Sequence, residues 1–313
     1  MARRINPKSK IQNPKSGSVR LTEVGPRDGL QNESRALSTE AKVRFVDLLS
    51  ACGFAEIEVS SFVSPKWVPQ LGDAAEVFAR IQRKAGVLYS ALVPNEQGMD
   101  AALAARVDKI AVFTAASESF SQRNTNATIA QALERFKPAI ARATRENLPV
   151  RAYISCVVAC PYEGPIEPSK VRDVAAKLLD LGADDIDLGD TIGVAVPTDI
   201  ARLYDALHGL LEPSQTTLHL HDTRGTALAC ACRAYDLGVR SFDCSCGGIG
   251  GCPFAPGAAG NLASEDLVYA FHKMGIDTSV DLQSLFAAGR HIAAALERPL
   301  PGRVFTTDSS KKC

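Results

Sequence analysis

The chain reads as a (β/α)8 TIM barrel with short additional C-terminal helices, and three observations predict it. From residue 19 onward, β-prone apolar runs alternate with amphipathic or alanine-rich stretches at a period of about 30 residues. Eight such runs can be counted, and eight βαβ-type repeats favour a closed parallel barrel over an open sheet. No Gly-x-Gly-x-x-Gly follows the first run, which sets aside a dinucleotide-binding fold. At 313 residues and 46% hydrophobic content, the chain has the size and core material of such a barrel.

The expected strands lie at residues 20–24, 56–60, 87–93, 109–114, 150–156, 185–188, 217–221 and 241–244. Helices are expected at 39–51, 74–84, 129–145, 169–181, 197–210 and 225–237, and one or two more at 281–296. Pro168 and Pro197 stand where a helix would start, and the fixed proline φ suits that position. Gly53, Gly182, Gly238 and Gly275 follow helix ends, where the chain turns left-handed. Residues 19–313 are therefore expected to be one catalytic domain. Residues 1–18, with five basic residues, two prolines and no acid, are expected to be a disordered basic arm rather than a secretory signal.

Composition narrows the function. Thirty-five basic and 35 acidic residues cancel, so no global field attracts nucleic acid. Aromatic residues make up only 6%, too few for a base-stacking surface. No run is long enough to span a membrane. Nine scattered cysteines do not form a disulfide framework and read as packing residues of a reducing compartment.

In a barrel, chemistry sits at the C-terminal ends of the strands. His219-Leu220-His221 puts two imidazoles on one face of the seventh strand, roughly 6.5 Å apart along the backbone. The first strand runs into Gly25-Pro26-Arg27-Asp28-Gly29, a turn carrying adjacent opposite charges. Glu58 alternates with Ile57 and Val59 in the second strand, and Asp190 follows the sixth. Residues 243–261 hold six glycines and two prolines, so they form a long loop with Cys252 at its middle. Asn261 follows, either as the cap of the next helix or as a ligand. Strands one, seven and eight are neighbours in a closed barrel, so Asp28, His219, His221 and Asn261 converge. Their mixed nitrogen and oxygen donors suit an octahedral cation such as Mg²⁺, Mn²⁺ or Co²⁺ better than structural zinc.

From about Val19 to Leu296, these motifs resemble the 3-hydroxy-3-methylglutaryl-CoA lyase family, the metal-dependent lyases of leucine degradation and ketone-body formation. The resemblance runs through Val24–Asn32, Ser61–Pro69, Cys160–Gly164, Leu188–Gly193 and His219–Asp222. It is most specific at Ser245–Phe254, which is similar to the family's Ser-Val-Ala-Gly-Leu-Gly-Gly-Cys-Pro-Tyr and departs from it at Cys246, Gly247, Ile249 and Phe254. The resemblance implies that Asp28, His219, His221 and Asn261 bind Mg²⁺ or Mn²⁺. It implies that Arg27 and Gln31 contact an acyl-CoA substrate, and that Cys252 acts as acid–base on the loop. Glu58 and Asp190 match acids of the active site, and Asp190 and the histidines are each candidates for taking the hydroxyl proton. It further implies a homodimer, placed in a bacterial cytoplasm rather than a mitochondrial matrix. A lyase for a longer 3-hydroxy-3-alkylglutaryl-CoA is the main alternative. A Claisen-condensing synthase of the same barrel type is a further one, although those enzymes lack the cysteine loop.

Overall fold

All eight expected strands form, and they close on themselves. The computed structural model describes residues 17–251 and 260–309. The barrel strands are β1 (Arg20–Glu23), β2 (Glu56–Ser61), β3 (Leu88–Leu92), β4 (Lys109–Ala115), β5 (Val150–Ser155), β6 (Asp185–Asp190), β7 (Thr216–Leu220) and β8 (Ser241–Cys244). Their order around the barrel is β1-β8-β7-β6-β5-β4-β3-β2, with each neighbour parallel.

Helices α1 (Thr39–Ser50), α2 (Ala74–Arg80), α5 (Ile129–Arg145), α6 (Pro168–Leu181), α7 (Pro197–Leu207) and α8 (Ala227–Asp236) fill the expected positions. Two more, α3 (Glu96–Ala104) and α4 (Glu118–Thr125), are short, and α4 buries only Phe120 and Ser121; neither has a long apolar stripe to announce it. Beyond β8 come α9 (Ser264–Lys273), α10 (Leu282–Leu296) and α11 (Arg303–Ser309). Pro168 and Pro197 do open α6 and α7. Gly53, Gly182, Gly238 and Gly275 have φ of 97°, 108°, 102° and 76°.

Period-two alternation sorts each strand into two faces. Outward residues such as Leu21, Ile57, Val112, Ile154, Leu188, Leu218 and Phe242 pack against the helices as the main core. The inward residues are largely charged. Arg151 lies across the lumen, donating to Asp185 (3.0 Å), Asp243 (2.9 Å) and the hydroxyls of Thr22 and Thr217. Lys109 donates to Glu56 (2.9 Å) and Asp185 (3.2 Å). A packed TIM-barrel interior usually carries branched aliphatic residues; here it is an ion network.

Residues 1–16 of the expected basic arm lie outside the described residues. Its last residues are tied down: Gly17 and Val19 exchange backbone hydrogen bonds with Asp277, so order begins before the barrel does. Among the described residues, no helix is long and apolar enough to cross a membrane. Cys52, Cys156, Cys160, Cys230, Cys244 and Cys246 are buried free thiols and Cys232 is half-buried, which fits their reading as packing residues.

Candidate active site

At the end of β7 the strand geometry does what its spacing predicts. The Nε2 atoms of His219 and His221 approach to 3.3 Å. The other ring nitrogens are engaged: His219 Nδ1 donates to Asp243 (3.1 Å), and His221 Nδ1 donates to the Thr191 carbonyl (2.7 Å). A carbonyl oxygen can only accept, so His221 Nδ1 carries a proton and its Nε2 is the atom that faces His219. Such an outer contact is the usual way a metal-binding imidazole is oriented.

β1 delivers the acid. After Glu23 the chain coils tightly over Gly25–Gly29, and the N–H groups of Arg27, Asp28 and Gly29 all point to the Val24 carbonyl. Asp28 Oδ2 then lies 3.9 Å from both imidazole Nε2 atoms. Arg27 holds the other Asp28 oxygen at 2.6 Å and Glu58 at 2.6 Å. Desolvation is the largest influence on each group. Even so, the Arg27 charge holds the Asp28 carboxyl well below the usual range, and Glu58 and Asp28 keep Arg27 protonated. Burial pushes Glu58 up. The Tyr153 hydroxyl donates to Glu58 (3.1 Å), and its ring lies under Arg27 at 5.3 Å.

Asn261 follows one of its two readings and not the other. It does not cap α9, which begins at Ser264 with Ala263 before it. It pairs instead with His221 in a β-bridge, which carries its amide into the site. Its Nδ2 donates to Asp28 (2.9 Å) and to the Ile249 carbonyl (3.1 Å). Its Oδ1 is buried and has no partner among the described residues. Gly250 makes this approach possible: it has φ +114°, and a Cβ there would lie 2.5 Å from Asn261 Nδ2.

Glu23 ties these segments together. Its carboxylate accepts from the N–H of Gly25 (2.8 Å), the N–H of Cys246 (2.9 Å) and the Ser264 hydroxyl (2.6 Å). One buried side chain thus links the turn carrying Asp28, the loop after β8 and the start of α9. Burial outweighs these donors and pushes Glu23 up to about 8.

Asp28, His219 and His221 form a possible metal-ligand group. The residues fit a divalent cation. Two imidazole Nε2 atoms face one another, one carboxylate sits beside them, and a buried amide oxygen lacks a donor. The fixed lumen charges point the same way. Asp28, Glu56, Glu58, Asp185, Asp187 and Asp243 are six acids against the four cations Arg20, Arg27, Lys109 and Arg151. Burial and the neighbouring Asp243 push the Asp187 carboxyl well above the usual carboxylate range.

Residues 18–292 match the HMGL-like family. The chain belongs to that family. Within it, human mitochondrial hydroxymethylglutaryl-CoA lyase is 46% identical over 286 residues, covering 91% of this chain and 88% of that protein. A Pseudomonas aeruginosa protein named 3-hydroxy-3-isohexenylglutaryl-CoA/hydroxy-methylglutaryl-CoA lyase is 49% identical over 278 residues, covering 89% and 93%. The crystal structure of hydroxymethylglutaryl-CoA lyase from Pseudomonas aeruginosa aligns with a TM-score of 0.92 at 47% identity, over 94% of this chain and 98% of that one.

The other expected HMGL-like site residues fall differently. Asp190 is buried at the end of β6, and its two oxygens accept from the N–H groups of Val194 (3.2 Å) and Ala195 (2.9 Å). It therefore holds the loop that presents the Thr191 carbonyl to His221. Gln31 is half-buried just past the Asp28 turn. Cys252 lies outside the described residues; Gly251 before it accepts from the Asn32 side chain (2.7 Å). Asp243, Tyr153 and Glu23 were not anticipated as site residues. The first two had a visible signal, since Arg151-Tyr153 and Ser241-Asp243 place polar groups two apart in otherwise apolar strands.

Proposed function

We propose that this protein is a divalent-metal-dependent lyase that cleaves 3-hydroxy-3-methylglutaryl-CoA to acetyl-CoA and acetoacetate. The reaction is a retro-Claisen cleavage. The tertiary hydroxyl loses its proton, its oxygen electrons form the ketone of acetoacetate, and the C2–C3 bond breaks. Its electron pair passes to the thioester fragment as an enolate, which a proton then converts to acetyl-CoA.

The single observation that carries this reading is the unpartnered Asn261 Oδ1, buried beside Asp28 and the facing imidazoles and within one residue of the Arg27 guanidinium. Mg²⁺ or Mn²⁺ held by Asp28, His219, His221 and Asn261 would lower the pKa of the substrate hydroxyl and orient its oxygens. Arg27 uses Nε and one Nη on Glu58 and Asp28, so its position is fixed before substrate arrives. Its charge stabilises the enolate oxygen as it develops. Glu58, held by Arg27 and Tyr153, sets the guanidinium plane. Cys252 supplies the enolate proton in this proposal, by the family resemblance. The acyl-CoA specificity, a bacterial cytoplasmic location and a homodimer belong to the same proposal.

Purified, reduced protein supplied with Mg²⁺ or Mn²⁺ is expected to release acetoacetate and acetyl-CoA in equal amounts. Absence of acetoacetate under those conditions contradicts the reading.

A further inference from the structure

Five apolar side chains gather at the barrel mouth across from the histidines. Leu92 ends β3, Ala111 and Phe113 belong to β4, Tyr153 to β5, and Val63 follows β2; together they form a cluster separate from the main core. The register fixes where they face. Ala111 pairs with Arg151 and Phe113 with Tyr153, while Leu92 pairs with Ala111. Arg151 crosses the lumen to Asp243, so its partners and the residues two further on share the lumen face. Leu92, Ala111 and Tyr153 are buried, whereas Val63 and Phe113 are half-buried and border the opening.

An apolar wall inside a lumen of acids and bases calls for an apolar occupant, because water gains little against it. Tyr153 joins this wall to the metal-ligand group. Its ring meets the His219 ring edge-on at 6.2 Å between centroids and lies under Arg27. The wall therefore begins one ring's width from the histidines.

We propose that this wall receives the 3-alkyl branch of a 3-hydroxy-3-alkylglutaryl thioester, and that Phe113, with Val63 beside it, limits the branch length. The inference rests on the lyase reading above. The tertiary carbon of such a substrate carries a hydroxyl, two arms ending in charged or polar carbonyl groups, and one alkyl branch. The polar groups are matched by Asp28, His219, His221, Asn261 and Arg27. The branch is matched by this quadrant of the mouth. Phe113 is the largest of the wall residues that border the opening, so a longer branch must displace its ring. The protein is thereby set for a methyl branch.

The test is kcat/KM for the 3-methyl substrate and its 3-butyl homologue. Wild type is expected to favour the methyl compound. Phe113→Ala should raise the butyl-to-methyl ratio by about tenfold or more, since one methylene's width of pocket is worth roughly 10- to 200-fold. Phe113→Leu should raise it less. A ratio does not depend on the fraction of enzyme folded. Calorimetric titration of the chelator-treated protein with the two thioesters gives a readout free of turnover, and Phe113→Ala should tighten butyl binding selectively. A ratio within twofold of wild type in both variants, or equal loss on both substrates, overturns this inference and leaves the lyase reading standing. Failure of wild type to cleave either thioester overturns both.

Discussion

At the lower end of the lumen, Arg151 is enclosed by fixed acids and hydroxyls, and Lys109 by Glu56 and Asp185. At the upper end, the imidazoles of His219 and His221 turn their Nε2 atoms toward one another, with the Asn261 oxygen unpartnered beside them. Both ends are buried and both are charged. The difference is in what each arrangement leaves unsatisfied. Enclosed cations hold a shape, and breaking them strands acids in the core. Facing imidazole nitrogens beside a carboxylate and an unpartnered amide oxygen offer donor atoms to a cation, and they do not brace the barrel in the same way. Asp187 is the instructive exception below: its oxygens accept no hydrogen bond, Arg151 comes only to 3.5 Å, and burial with Asp243 nearby pushes its carboxyl well above the usual range.

This contrast can be broken in four ways. Arg151→Met should cost the most, about 3–5 kcal/mol of unfolding free energy in urea, because Asp185, Asp243 and Glu56 lose their shared cation. Asp243→Asn should leave stability nearer to wild type and weaken Mn²⁺ affinity by about 10- to 100-fold, because its one remaining oxygen stays on Arg151 and an NH2 group, which cannot accept, faces His219 Nδ1.

The third concerns pH. Burial raises Glu23 to about 8 and Glu265 to about 7, from an ordinary value near 4.5. A carboxyl raised on folding binds its proton more tightly in the native state. Its contribution is therefore complete below pH 4.5 and is lost as pH rises through 7 to 8. Urea midpoints should fall between pH 5 and pH 8.5, and Glu23→Gln should flatten that fall. The smallest effect is expected of Gly250→Ala, about 1 kcal/mol of metal affinity, since its Cβ would press on the Asn261 amide from a left-handed backbone position.

Much of this was legible in the sequence, and for physical reasons. Strand alternation, prolines opening α6 and α7, and glycines after helix ends are local signals, and they located most of the fold. His219-x-His221 is local too, and barrel closure then brought Asp28 and Asn261 to it from more than 200 residues apart. The lumen charges are written as period-two polar residues in β5 to β8, but barrel interiors are usually aliphatic, so that alternation alone does not announce an ion network. Asp190 could not be sorted from Asp28 by position alone: both are acids at strand ends. Only the path of the following loop shows that backbone N–H groups reach Asp190, whereas Asp28 is met by imidazoles and a guanidinium.

The central claim is that Asp28, His219, His221 and Asn261 hold one divalent cation. Electron paramagnetic resonance titration of the metal-free protein with Mn²⁺ tests it most directly. The expected result is one saturable site per chain, displaced by Mg²⁺ and lost in His221→Ala while the urea midpoint of that variant stays near wild type. Saturable binding that survives His221→Ala, or no saturable binding in wild type, would contradict it.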